Sequence, residues 1–115
     1  MNQVNSIDPI LSVADMQRSL RFYVDLLGFK NAEWGDDDFT CVSRDECNIL
    51  LCRGSQGNPG TWIYVGVDNA RKAFDFLSSR DATIRKGLTK YPWALEFNVV
   101  DPDGHVLRIG SEPWD

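Results

Sequence analysis

The strongest constraint on the fold of this chain is an order of elements that occurs twice. Ile7–Val13 has the pattern of a short strand, and Asp15 can cap a helix whose apolar stripe is Met16, Leu20, Tyr23 and Leu27. Gly28 stands where that helix should stop. Strand-like runs follow at Phe29–Trp34, Phe39–Ser43 and Cys47–Cys52, with turns at Gly35–Asp38 and Arg44–Glu46. Arg53–Gly60, rich in glycine, is the one linker-like segment. The order then returns: a strand at Trp62–Val67, a helix capped by Asn69 with Ala70, Ala73, Phe74 and Leu77 on its stripe, and strands near Thr83–Leu88, Trp93–Val100 and His105–Ile109. Such a repeat predicts two copies of one supersecondary unit in an α+β fold, and each half has too little core to stand alone. The expected organisation is one domain over residues 1–115, with module one at 5–53, a linker at 54–60 and module two at 61–112.

The segment Asp101-Pro102-Asp103-Gly104 is strong turn chemistry: Pro102 presets φ, Asp101 can accept from the backbone ahead, and Gly104 tolerates positive φ. After it Leu107 and Ile109 alternate with Val106 and Arg108, the period of a half-buried strand. By itself this is a hairpin tip followed by an edge strand with one solvated arginine.

Composition narrows the function. The 43% hydrophobic and 25% charged fractions are those of a soluble globular domain. No apolar run approaches the ~20 residues of a membrane span, and no secretory signal is visible, so a cytoplasmic location is expected. Cys41, Cys47 and Cys52 match no zinc spacing and read as small buried residues of a reduced thiol environment. With 12 Lys and Arg against 17 Asp and Glu the net charge is −5, which argues against nucleic acid and either steers a cationic small molecule or partner at long range or simply keeps the protein soluble. Four tryptophans (Trp34, Trp62, Trp93, Trp114) offer faces for a flat ligand, although core or interface positions are their commonest use.

Pro9–Asp15, Ser19–Tyr23 and Leu26–Phe29, followed by Trp62–Val65 and by Asp101–Gly104 before a last strand, resemble the vicinal oxygen chelate superfamily, the group of glyoxalases, bleomycin resistance proteins and extradiol dioxygenases. The resemblance covers nearly the whole chain. It implies two βαβββ modules whose curved mixed sheets form a cup-shaped cleft with helices outside, and a homodimer. Alternation then puts Leu11, Val13, Ile49, Leu51, Ile63, Val65, Leu95, Phe97, Val99, Leu107 and Ile109 toward the helices. Asp8, Ile10, Ser12, Asn48, Leu50, Trp62, Tyr64, Glu96, Asn98 and Arg108 fall on the cleft side.

The metal positions implied by the resemblance fall at Asp8, Asn48 or Leu50, Gly60 and Arg108. Glycine has no side chain, and a guanidinium has only donors and a fixed positive charge. His105, the single histidine, reads as a turn residue rather than a ligand. The expectation is therefore no metal, no cofactor and no catalytic residues. A serine or cysteine triad would have to use His105, and no nucleophile-elbow motif appears; Gly54, Gly57 and Gly60 precede a strand rather than a helix, so no phosphate loop is present.

The chain is similar to the metal-free branch that resembles bleomycin resistance proteins. That branch implies sequestration of an antibiotic-like or other planar amphipathic compound, with a cationic group as one variant. The expected ligand-binding residues are Asp8, Asn48, Leu50, Trp62, Tyr64, Trp93, Glu96 and Arg108. Arg108 either pairs with Asp8 or Glu96 or receives an anionic group of the ligand. Trp62 could equally plug a dimer interface, Trp93 could cover the core, and the Asp36–Asp38 run reads as a solvated turn. Two other readings stay open: a metal-dependent lyase, isomerase or dioxygenase with another ligand set, and a structural or regulatory relative that binds nothing.

Overall fold

The computed structural model describes residues 1–113. Trp114, one of the four tryptophans named above, lies outside them. The chain divides into two compact units, one ending at Pro59 and the other beginning at Gly60.

The first unit runs β1 (Ile10–Ser12), α1 (Met16–Leu20), β2 (Lys30–Asn31), β3 (Phe39–Arg44) and β4 (Cys47–Cys52), with sheet order β1-β4-β3-β2. β1 is parallel to β4, and the other pairs are antiparallel. Asp15 caps α1, its Oδ1 accepting from Arg18 N at 3.1 Å. The helix then widens into π-helical turns over Arg21–Leu26, and Gly28 ends it at φ +79°. Two expected strands are shorter than the apolar pattern: Ile7–Val13 yields only Ile10–Ser12, and Phe29–Trp34 only Lys30–Asn31. In the second case the chain leaves the ladder at a turn, where Gly35 N donates to Ala32 O. The Asp36–Asp38 turn is exposed, as expected, yet all three of its carboxylates are committed, with Asp37 Oδ1 accepting from Gln17 Nε2 at 2.9 Å. Asp36 Oδ1 accepts from Asp38 N (2.8 Å) and Phe39 N (2.9 Å), and Asp38 pairs with Arg53. The reading of three buried cysteines needs correction. Cys52 is buried, Cys41 is half-buried, and Cys47 is exposed because it opens a strand at a tight turn where Asp45 and Glu46 take positive φ.

The second unit repeats the plan with β5 (Trp62–Gly66), α2 (Ala70–Ser78), β6 (Thr83–Lys90), β7 (Leu95–Val100) and β8 (Val106–Ser111). Its sheet order, β5-β8-β7-β6, is the same permutation as in the first unit, again with the one parallel pair formed by first and last strands. Asn69 Oδ1 caps α2 through Lys72 N at 3.0 Å, and the buried Ser111 Oγ accepts from Ala70 N at 3.0 Å, so the end of β8 anchors the start of the helix. The helix lies on one face of the sheet, where Phe74 meets Phe97 edge to face at 5.3 Å. Leu95, Phe97, Val99, Leu107 and Ile109 share that face and are buried, each stabilising the unit by about 1.5–3 kcal/mol. Ile63 and Val65, on edge strand β5, are only half-buried.

Candidate functional site

With α2 on one face of the second sheet, strict alternation sends the intervening residues to the other. Register aligns Tyr64, Arg108, Asn98 and Lys86 in one row across β5, β8, β7 and β6. The open face of this sheet bounds a cavity of about 260 Å³, just under the ~300 Å³ where ligand pockets commonly begin. It suits a molecule of one or two fused rings.

Its base is the pair Arg108–Glu96. Glu96 is 4% exposed, and its Oε1 accepts from Arg108 Nε at 2.5 Å. That hydrogen bond holds the guanidinium above its usual pKa. The ring of Tyr64 lies 5.9 Å from the Arg108 guanidinium, across Gly110. A Cβ at Gly110 would come within 2.3 Å of Tyr64 Oη and 3.0 Å of Glu96 Cγ, so the missing side chain is what lets the phenol lie over β8.

The walls are aromatic. Tyr91 and Trp93, flanking Pro92 between β6 and β7, stack with centroids 4.9 Å apart and an interplanar angle of 10°. Trp62 faces them from β5. β5 and β6 are opposite edges of the sheet, about 14 Å apart if it were flat. Even so, Arg85 on β6 lies 4.8 Å from the centroid of the Trp62 ring. These two long side chains thus meet across the open face of the sheet. Arg85 Nη1 also donates to Asn98 Oδ1 at 3.3 Å, and Lys86 Nζ donates to Tyr91 Oη at 2.5 Å.

Of the residues expected from the sequence, Trp62, Trp93, Glu96 and Arg108 line this cavity, and Tyr64 touches it through Arg108. Asp8, Asn48 and Leu50 belong to the first unit, outside the lining. There Asp8 accepts from Ser6 Oγ at 3.3 Å, and Asn48 Oδ1 accepts from Ser43 Oγ at 2.8 Å. Of the two carboxylates offered for Arg108, the structure selects Glu96. Trp34, also in the first unit, stacks on Phe39 at 6.2 Å.

Alternation missed Arg85, Lys86 and Tyr91. Ile84 pairs with Val99 and Lys86 with Asn98, so Arg85 is an extra residue in β6, and a second shift follows before Thr89. A bulge re-aims the side chain it carries, which is how two neighbours in sequence both reach one cavity. The charge of the lining also differs from that of the chain. Arg85, Lys86 and Arg108 set against Glu96 give a lining of net +2 (3 − 1), opposite in sign to the −5 of the chain. Net charge acts at long range and does not fix the sign inside a pocket.

The residues at the implied metal positions do not fit a divalent ion. Gly60 offers no side-chain ligand, and Arg108 presents a cation already bonded to Glu96. Among the described residues no three His, Cys, Asp or Glu side chains come together as a metal-holding group. His105 is fully buried in the turn before β8. Its backbone N–H donates to Asp101 Oδ1 at 2.9 Å, and its Nδ1 accepts from Thr61 N at 3.0 Å, tying the start of β5 to that turn. No helix among the described residues is long and apolar enough to cross a membrane.

No curated protein sequence matches the chain. Solved structures do. TnmS3, an antibiotic binding protein from Streptomyces sp. CB03234, superposes with a TM-score of 0.84 at 17% identity, over 97% of this chain and 99% of that one. A superfamily member from Sphaerobacter thermophilus DSM 20745 gives 0.79 at 23% identity, over 95% and 98%. Lactoylglutathione lyase from Agrobacterium tumefaciens gives 0.79 at 13% identity, over 95% of each chain. These likenesses establish a shared fold that hosts both binding and enzymatic proteins. The Glyoxalase/Bleomycin resistance protein/Dioxygenase family model matches residues 3–109, and the chain belongs to that superfamily.

Proposed function

We propose that this chain binds a small planar organic molecule, antibiotic-like in character, in the aromatic cavity of its second unit and sequesters it without chemical change. The observation that carries this reading is the cavity itself. Trp62, Trp93 and Tyr91 offer ring faces around about 260 Å³, and a few polar side chains converge on it, the usual make-up of a small-molecule site. Sequestration is favoured over turnover because the groups that could do acid–base work are committed. The carboxylate of Glu96 accepts from Arg108, and His105 is buried in a structural latch. The likeness to an antibiotic binding protein is consistent with this. A homodimer, implied by the resemblance, belongs to the same proposal, and sedimentation velocity would show a species of twice 13.0 kDa.

The test is calorimetric titration with planar monocyclic and bicyclic aromatics, beside metal analysis of protein purified without chelator. Saturable binding with sub-stoichiometric metal is expected. Heats of dilution alone for every compound, or one bound metal per chain, would sink the reading.

A further inference from the structure

The basic side chains in the cavity carry the argument past a generic aromatic site. Arg85 and Lys86 are adjacent in sequence, and a regular strand would send them to opposite faces. The bulge at Arg85 brings both to the same cavity. Each is held in place by a neutral partner, Arg85 between the Trp62 ring and Asn98 Oδ1, Lys86 against Tyr91 Oη and its ring. These contacts leave most of the guanidinium's donors and part of the ammonium's unspent. Among the described residues neither has a carboxylate within ion-pairing distance, whereas Arg108 beside them is neutralised by Glu96. The lining therefore holds one internally balanced cation and two unbalanced ones, set next to flat rings.

We propose that the occupant of this cavity is a planar aromatic molecule bearing an anionic group, a carboxylate, sulfonate or phenolate. Its ring system stacks on Trp93 and Trp62, and its charge is received by Arg85 and Lys86. This rests on the reading of the cavity as a small-molecule site and gives it a charge class. A cationic aromatic of the same shape would meet Arg85, Lys86 and Arg108 with only one carboxylate in compensation.

The experiment uses the full chain and three bicyclic probes of one shape: 2-naphthoate, 2-naphthamide and 2-naphthylmethylammonium. Each is titrated by calorimetry at low ionic strength and again at 0.5 M salt. The naphthoate should bind about tenfold or more tighter than the amide, as expected for a charge-assisted contact, with the ammonium weakest. Salt should shrink that preference, because the basic side chains are solvent-accessible. In R85Q/K86Q the ratio of naphthoate to naphthamide affinity should fall to near one, with circular dichroism confirming the fold. Binding with no charge preference, or with the ammonium tightest, overturns this inference and leaves the small-molecule site standing. A preference that survives R85Q/K86Q overturns the assignment to these residues. No binding by any of the three overturns the site itself, and the inference with it.

Discussion

Replacing His105 by Phe should loosen the edge of the site without unfolding the unit. His105 is fully buried, and its Nδ1 is the acceptor for the backbone N–H of Thr61, 3.0 Å away and immediately before Trp62. Phe keeps a ring in the space but offers no acceptor. Losing the partner of a partly buried amide costs about 1–2 kcal/mol, the lower part of the range for an orphaned donor. With an unfolding entropy near 0.24 kcal/mol/K for this length, the melting temperature should fall by about 4–8 °C. The local signature is sharper. Thr61 N–H should exchange with solvent roughly 5–30-fold faster relative to the amides of β8, since ~1.4 kcal/mol is a factor of ten. His105→Asn separates hydrogen bonding from packing, because its Oδ1 can take the place of Nδ1 while the outer edge of the ring is lost. H105N should keep Thr61 protected relative to β8 even if it melts earlier. If Thr61 in H105F stays as protected as in the parent, the latch is not what fixes the start of β5, and the reasoning fails.

Other consequences follow from the same structure. Trp93→Ala should weaken an aromatic ligand by roughly 2–13-fold, the ~0.5–1.5 kcal/mol of one ring pair. Because Trp93 is exposed, melting should barely change, so a large stability loss would mean that it covers the core instead. Gly35→Ala should be strongly destabilising, because a Cβ there would sit 1.8 Å from Oγ1 of the fully buried Thr40, which itself donates to Asn31 Oδ1. A loss of ~1–3 kcal/mol or more in chemical denaturation is expected from the overlap, and an unchanged midpoint would contradict it. Asp36 is held below its usual pKa by the amides of Asp38 and Phe39. Its contribution is present above the unfolded value, near 3.9, and is lost as pH falls through the lowered folded value. Asp36→Ala should therefore be less stable than the parent at neutral pH, with the gap closing below about pH 4. A gap that persists in strong acid would refute this.

Much of the architecture was legible because its signals are local. Asp15 and Asn69 announced their helices by capping chemistry, Gly28 ended the first one, and Cys47–Cys52 became a strand over the expected residues. In β7 and β8 strict alternation held, so Leu95, Phe97 and Val99 could be separated from Glu96 and Asn98 before any coordinates. What was not legible arises where the backbone breaks that period. Thr83–Leu88 looks like an ordinary strand, and nothing in Arg85-Lys86-Gly87 marks the register shifts that turn two basic residues toward one cavity. Only pairing against Asn98 and Glu96 reveals them. The sign of the lining was hidden for a related reason, since net charge averages over the chain while the fold gathers three cations around one carboxylate. The short strands β1 and β2 were overdrawn because apolar runs such as Ile7–Val13 show hydrophobicity without showing where ladder partners end.

The central claim is that the aromatic cavity of the second unit is the binding site. Its most direct test follows the indole N–H signals of Trp62 and Trp93 by ¹⁵N-edited NMR, assigned with W62F and W93F, during titration with 2-naphthoate and 2-naphthamide. Both indoles should shift together and saturate with a single dissociation constant for each compound, the carboxylate tighter. Saturable binding elsewhere that leaves both indoles unmoved, or no shift of any signal at millimolar ligand, would contradict the account.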